Sequence, residues 1–225
     1  KGSNKQKIGD MFFSGMDSVN INQQGVGAIK AELDQIAAIK DPVSIAKACA
    51  MVHTSSGSPM FGMYVGQDDK ISSKHAVFIF QGGLSLPDRS FYLDTDSRST
   101  SIRKDFVSHL SRMFMNLGQD SITASKTAND VMALETSIAK ASRKKEDTRD
   151  PHKNYNKMAT SQLVKSTPNF DWSTFMSEVG LNAVDTVIVG QPEFLAALNN
   201  MVKQTPLSTW SSYLQYHFVK GLAPY

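Results

Sequence analysis

Cysteine is all but missing: one residue, Cys49, in 225 excludes an intrachain disulfide and any multi-cysteine metal site. A charge excess of one sign is missing too. The 24 Lys and Arg stand against 21 Asp and Glu, a net +3, so nothing in the total calls for nucleic acid or an anionic membrane. Long apolar runs are absent; stretches such as Ala76 to Phe80 fall far below the ~20 residues of a membrane helix. There is no Asn-x-Ser/Thr sequon and so no hint of glycosylation. No repeat, heptad array, low-complexity segment or Gly/Ser linker divides the chain. What is present, 40% hydrophobic and 20% charged residues, is the composition of a folded protein with a core. The chain opens at Lys1 without an initiator Met or a signal-type apolar segment, as a piece of a longer polypeptide would.

The usual catalytic signatures fail on spacing. No Gly precedes a Lys, which removes the phosphate loop, and Gly25-Val26-Gly27 lacks the third glycine of a dinucleotide turn. The nearest approach to a nucleophile elbow, Gly83-Leu84-Ser85-Leu86-Pro87, carries Pro87 where a glycine must let the backbone pass. Asp94 and Asp96 resemble the start of a calcium loop, but Arg98 and Ser99 occupy the third ligand and the turn glycine. A zinc hydrolase needs imidazoles close together, commonly two one helical turn apart with Glu between. Of His53, His75, His109, His152 and His217, no two lie within four residues and none is followed by Glu. His109 and His217 read as structural histidines beside apolar stripes.

Apolar spacing makes the chain mostly helical. Ile8, Met11 and Phe12 follow the caps Ser3 and Asn4 and stop near Gly15; Ile29, Leu33, Ile36 and Ala37 share a face; Asp41-Pro42 opens a helix towards Val52. Between Met60 and Gln81 the period becomes two around a turn at Gln67-Asp68-Asp69, which predicts a β-hairpin. Gln81 to Asp96 is broken by Gly82-Gly83 and Pro87 yet apolar, so it is expected to pack down. The clearest helix carries Ile102, Phe106, Leu110, Met113, Phe114 and Leu117 before Gly118; the next, capped by Asp120 or Ser121, carries Ala124, Ala128, Val131, Leu134 and Ile138. Arg143 to Lys153 reads as a solvated connection. Asp171 caps a helix burying Trp172, Phe175 and Met176, Val184 to Val189 is a strand candidate, and Pro192 and Pro206 each start a helix, the last burying Trp210, Tyr213, Leu214 and Phe218. The expected fold is mainly α: a multi-helix lobe with a small β-hairpin and one further short strand.

Several segments, taken in order, resemble the neprilysin and endothelin-converting enzyme family of zinc metallopeptidases, especially its bacterial endopeptidase members. The most specific is Gln81-Gly82-Gly83-Leu84-Ser85-Leu86-Pro87-Asp88-Arg89-Ser90-Phe91-Tyr92, similar to the family run ending Leu-Pro-x-Arg-x-Tyr-Tyr, with Phe91 for the first tyrosine. Around it lie Gly66 to Lys70, the pair Leu134-Glu135, Arg149-Asp150-Pro151 with Tyr155 to Met158, Val187 to Phe194, and Thr209-Trp210 with Tyr213-Leu214 and His217.

The resemblance implies a zinc-dependent endopeptidase that cleaves peptides, exported to the periplasm, cell envelope or outside. Residues 1–225 resemble, as one helical region, its smaller, non-catalytic lobe, which caps the substrate chamber. The H-E-x-x-H helix, the third-ligand Glu and the substrate-binding Asn-Ala segment lie downstream of everything matched, so no catalytic or metal residue carries over. Zinc is expected in the parent and no cofactor in this chain. The expected partners are the remainder of the same polypeptide and peptide substrates, with no nucleic acid and no membrane contact from this segment. Asp88, Arg89 and Tyr92 are the substrate-chamber candidates. A structural role is favoured for them, because a buried apolar loop needs its backbone polar groups satisfied. The alternative is a non-enzymatic binding module derived from the same lobe.

Overall fold

Capping chemistry decides where most of the helices begin. The computed structural model describes residues 2–223, which fall into two compact units, up to Asp34 and from Gln35 on. The first unit holds α1 (Asn4–Met16), capped by the Ser3 hydroxyl, α2 (Ser18–Gln24), capped by Asp17, and a 3-10 turn at Gly25–Ile29. The helix α3 (Lys30–Ala37) begins in the first unit and ends in the second.

In the second unit α4 (Pro42–Ser55) starts on a capping box in which the Asp41 carboxylate and Ser44 satisfy each other's backbone N–H. The hairpin follows as β1 (Phe61–Gln67) and β2 (His75–Gln81), and the broken stretch after it contains one short helix, α5 (Ser90–Leu93). Asp96 and Asp120 cap the two long helices α6 (Ser97–Asn116) and α7 (Ser121–Ala141), and Gly118 between them takes φ +96°, a conformation closed to most side chains. A 3-10 turn at Asp147–Arg149 leads into α8 (Pro151–Asn154), β3 (Asn156–Ala159), α9 (Thr160–Ser166), α10 (Trp172–Glu178), β4 (Thr186–Val189), α11 (Pro192–Gln204) and α12 (Leu207–Leu222). The fold is mainly α with few strands, as the periodicity predicts.

On α6 and α7 the predicted stripes are buried, whereas the stripe predicted on α1, Ile8, Met11 and Phe12, is exposed. Phe106, Leu110 and Phe114 of α6 meet Ala124, Ala128, Val131, Leu134 and Ile138 of α7, all at or below 7% exposure. Each large side chain so removed from water contributes roughly 1.5–3 kcal/mol. The last helix α12 packs against α4, α6 and α7 and buries Trp210, Tyr213, Leu214 and Phe218. A second aromatic centre joins α4, β1 and α10: Phe61 lies 5.0 Å from Trp172, and 5.1 Å from both Phe175 and the His53 ring.

The hairpin belongs to a four-stranded sheet, ordered β1-β2-β4-β3. Its register runs from Phe61 opposite Gln81 to Gln67 opposite His75; β2 then pairs in parallel with β4, Val77 beside Val187, and β3 closes the far edge antiparallel to β4. In the run Tyr155 to Met158, Asn156 opens β3 opposite Val189, and its side-chain amide bonds the Lys153 and Val189 carbonyls. One expectation is corrected. Arg143 reads as solvated, yet its side chain is only 21% exposed, because the opposite charge of Glu193 and the amide of Asn154 bind it. Among the described residues, no helix is long and apolar enough to cross a membrane.

Candidate functional site

The apolar loop from Gly82 to Arg89 is held in place by side chains from three helices. At its start Gly83 adopts φ +80°, and a Cβ there would stand 2.6 Å from the Tyr213 hydroxyl and 2.9 Å from Met60 backbone. Only glycine fits such a position. The Tyr213 hydroxyl, buried on α12, donates to the Gly83 carbonyl at 2.7 Å and accepts from Met60 N–H at 3.0 Å. One phenol thus ties the loop to the entrance of β1, and burial drives its pKa well above the ordinary tyrosine value.

At the loop's centre stands Glu135 of α7, with no exposed surface. Its Oε1 accepts from the Ser85 hydroxyl at 2.6 Å and faces His217 Nε2 at 3.3 Å; its Oε2 accepts from Ser85 N–H at 3.1 Å and from the Tyr92 hydroxyl at 2.5 Å. A buried carboxylate is tolerable only when its lone pairs are met in this way. The Tyr92 oxygen in turn accepts from the N–H groups of Ser85 at 3.1 Å and Leu86 at 2.8 Å. Burial first, and then the neighbouring Glu135 charge, hold the Tyr92 phenol far above its usual pKa. Lys220 Nζ donates to the Ser85 carbonyl at 3.3 Å, and burial lowers its pKa while Glu135 opposes that shift.

The three chamber candidates therefore separate. Tyr92 is buried at 4% exposure and spends its hydroxyl inside the protein. Asp88 accepts from the Ser90 N–H at 2.8 Å, and Arg89 Nε donates to the Ala139 carbonyl, near the end of α7, at 3.1 Å. Asp88 and Arg89 also line a cavity of about 310 Å³ with Gly82, Leu86, Arg143 and Lys145. Tyr92 does not. The residue at the centre, Glu135, is visible in the sequence only as half of the Leu134-Glu135 pair. A signal existed: Glu135 lies four residues after Val131 and three before Ile138, on the core stripe itself.

Two further polar clusters brace the sheet. Asp68, in the β1–β2 turn, binds Lys157 Nζ at 2.7 Å, the Tyr155 hydroxyl at 2.9 Å and the Lys70 N–H at 2.9 Å, so the Lys157 hydrogen bond chiefly holds its carboxyl well below the usual range. The amide of Gln81 bonds both the N–H and the carbonyl of Arg143, at 2.8 and 3.1 Å, while Gln191 Oε1 accepts from the Gln81 N–H at 2.8 Å. Beside them a second cavity, of about 500 Å³, opens between Tyr64, Phe78 and Phe80 on the sheet and Arg149, Asn154 and Gln191.

Comparison with known proteins settles the family. The family model for the N-terminal part of peptidase family M13 matches residues 1–225. The chain belongs to peptidase family M13. An endothelin-converting enzyme homolog of Locusta migratoria is 28% identical over 177 residues, 74% of this chain and 24% of the relative. Neprilysin of Oryctolagus cuniculus is 31% identical over 198 residues, 80% of this chain and 26% of the relative. The Mycobacterium tuberculosis zinc metalloprotease ZMP1, solved in an open state, matches with a TM-score of 0.91 and 28% identity over 99% of this chain and 35% of that one. This M13 chain thus spans about a quarter of the length of the curated relatives it matches. The zinc that the family implies does not fit the residues here. Among the described residues no three His, Cys, Asp or Glu side chains converge to hold a metal. Both oxygens of Glu135 are already engaged beside His217, and the Cys49 thiol is buried, which raises its pKa.

Proposed function

We propose that this chain is the non-catalytic part of a zinc-dependent metalloendopeptidase that cleaves peptides. Its task is to cover the substrate chamber, admitting flexible peptides and excluding folded proteins, while the remainder of the same polypeptide supplies the metal and the activated water. The observation that carries the reading is the match of 99% of this chain, at a TM-score of 0.91, to 35% of a solved zinc metalloprotease. A second supports it: the Gly82–Arg89 loop, the segment most like the family, has its polar groups committed to Glu135, Tyr92 and Tyr213. That suits a rigid wall better than a reacting centre. On this reading Asp88 and Arg89 keep the loop in shape through Ser90 N–H and the Ala139 carbonyl, and the 310 Å³ cavity that they line is the part of the wall proposed to face substrate. Export of the parent beyond the cytoplasm completes the reading.

The test has two arms. The 225-residue chain, purified, is expected to hold no stoichiometric zinc and to cleave no peptide. The complete gene product is expected to contain H-E-x-x-H and to cleave an unstructured peptide, but not the same sequence inside a folded domain. Peptide cleavage by the 225 residues alone, or a gene product without the zinc motif, would overturn the proposal, the latter in favour of a binding module.

A further inference from the structure

One face of the sheet keeps aromatic rings where a solvated strand usually keeps polar side chains. Alternation along β1 and β2 puts Gly62, Tyr64 and Gly66 on the same face as Phe80, Phe78 and Ala76, which they oppose. The rings lie close to the backbone because glycines give them room. A Cβ on Gly62 would stand 2.2 Å from the Phe80 ring, and one on Gly66 3.0 Å from the Tyr64 ring. Tyr64 stacks on Phe78 at 4.7 Å with 6° between the planes, and Phe80 lies 5.8 Å from Tyr64. The result is a fixed aromatic platform, and within the second unit Tyr64 and Phe80 keep much of their rings uncovered. Packing explains why the rings are ordered. It does not explain why they floor a cavity of about 500 Å³, a volume and a lining suited to one large side chain or a small ligand.

That cavity has a charged end. Arg149, on the 3-10 turn that leads into α8, stands on its rim. Its N–H bonds the Glu146 carbonyl, but among the described residues its guanidinium has no hydrogen-bond or ion-pair partner. The 310 Å³ cavity beside the Gly82–Arg89 loop adjoins it, since Gln81 and Thr148 line both. Together the two form a furrow lined entirely by the second unit. Four cations, Arg89, Arg143, Lys145 and Arg149, line it against two acids, Asp69 and Asp88. Of the four, Arg143 is bound to Glu193. One end of the furrow is therefore aromatic and the other is cationic.

We infer that this furrow binds an extended peptide through an aromatic residue laid on Tyr64 and Phe80 and an acidic side chain, a few positions along, held by Arg149. The inference rests on the proposed function, in which the 310 Å³ cavity faces substrate, and names the peptides that this wall prefers: those pairing an aromatic residue with a nearby acid. A neutral sugar would use the same rings but leave the cations without a partner, which favours the acidic peptide.

The test uses the 225-residue chain and the blocked peptide acetyl-Ala-Ala-Phe-Ala-Glu-Glu-Ala-amide, with binding read by calorimetry. Replacing its Phe by Ala, or both Glu by Gln, should each weaken binding roughly 10-fold. On the protein, Tyr64→Ser should remove the preference for Phe and keep that for Glu. Arg149→Gln should do the reverse, and Lys203→Gln, at an exposed lysine of α11, should change neither. Because Tyr64 also supports the sheet, photoreactive benzoyl-phenylalanine in place of the peptide's Phe gives a second reading on the unaltered chain. Its cross-links should fall on β1, β2 or the segment from Thr148 to Asn154. Cross-links elsewhere, equal affinity for the peptide lacking Phe, no binding, or tighter binding of cellohexaose than of the peptide would each overturn the inference. Cleavage is read separately on the complete gene product. Cleavage of unstructured peptides without this binding would sink the inference alone, and binding by a chain whose complete gene product lacks H-E-x-x-H would sink the proposed function alone.

Discussion

Replacing Glu135 by Ala should be among the most damaging single changes in this chain. The substitution removes the acceptor of three bonds, strands the Ser85 and Tyr92 hydroxyls, leaves Ser85 N–H with the Tyr92 oxygen alone, and takes the counter-group from His217, 3.3 Å away. Each buried donor left without a partner costs about 1–3 kcal/mol, and breaking a buried charged cluster about 3–5 kcal/mol. These overlap, so the total should be about 4 kcal/mol. Glu135→Gln keeps the volume and one acceptor, exchanges charge-assisted bonds for weaker neutral ones, and should cost about 1–2 kcal/mol. Urea unfolding followed by tryptophan fluorescence is the direct assay, since Trp172 and Trp210 both lie in the second unit. With a slope of about 2–3 kcal/mol per molar urea, Glu135→Ala should lower the midpoint by roughly 1.5 M at unchanged slope. Tyr92→Phe combined with Glu135→Gln should be non-additive by about 1–2 kcal/mol, because the two side chains share one bond. A midpoint shift below roughly 0.3 M for Glu135→Ala, or strict additivity in the cycle, would show that the carboxylate does not organise the loop.

Three other expectations follow from the packing and titration. Trp210 is fully buried and its indole N–H has no hydrogen-bond partner, so Trp210→Ala should cost about 3–5 kcal/mol of pure packing, against almost nothing for exposed Lys145→Ala; similar melting temperatures would contradict the helix face assigned here. Gly83→Ala pushes a Cβ into Tyr213 and Met60, whereas Gly118→Ala meets open space and bears only its positive φ, so the first should cost at least about 2 kcal/mol and the second about 1–2 kcal/mol, with equal losses refuting the close approach. Burial pushes His53 down to about 4 from 6.5, against its bond to the Pro59 carbonyl. The unfolded chain therefore binds the proton first, and stability should hold above pH 6.5 and fall by about 3 kcal/mol on acidification towards pH 4. His53→Gln, which keeps a donor and does not titrate, should flatten that part of the profile; an unchanged slope would assign the acid sensitivity elsewhere.

Local signals in the sequence are those whose cause is local. Asp41-Pro42, Asp120 and Asp171 begin helices because a side chain satisfies N–H groups within three residues, and Gly118 and Gly180 end them at positive φ. The hairpin and the stripes of α6 and α7 follow from periodicity alone. What escaped depends on distant partners. The strand β3 is four residues long and exists because β4 lies beside it. Arg143 looks like surface charge until Glu193, fifty positions on, meets it. Glu135 was legible in position but not in role, since its ligands come from a loop fifty residues earlier and a helix eighty-two residues later.

The parallel pairing of β2 with β4 also has a kinetic consequence. Gln81 and Gln191, joined by a hydrogen bond, are 110 positions apart, and α6 and α7 lie in the enclosed loop. Contacts of that separation repay their closure entropy only after the local units have formed. The β1–β2 hairpin and the α6–α7 pair should therefore appear early, and β4 should join late. Until it does, β2 presents an open edge formed by Ala76 to Phe80, the most apolar strand of the sheet. On that order, Val187→Ala should speed unfolding and leave refolding nearly unchanged, while Phe106→Leu should slow refolding. The vulnerable interval for this chain is the time before its fourth strand arrives.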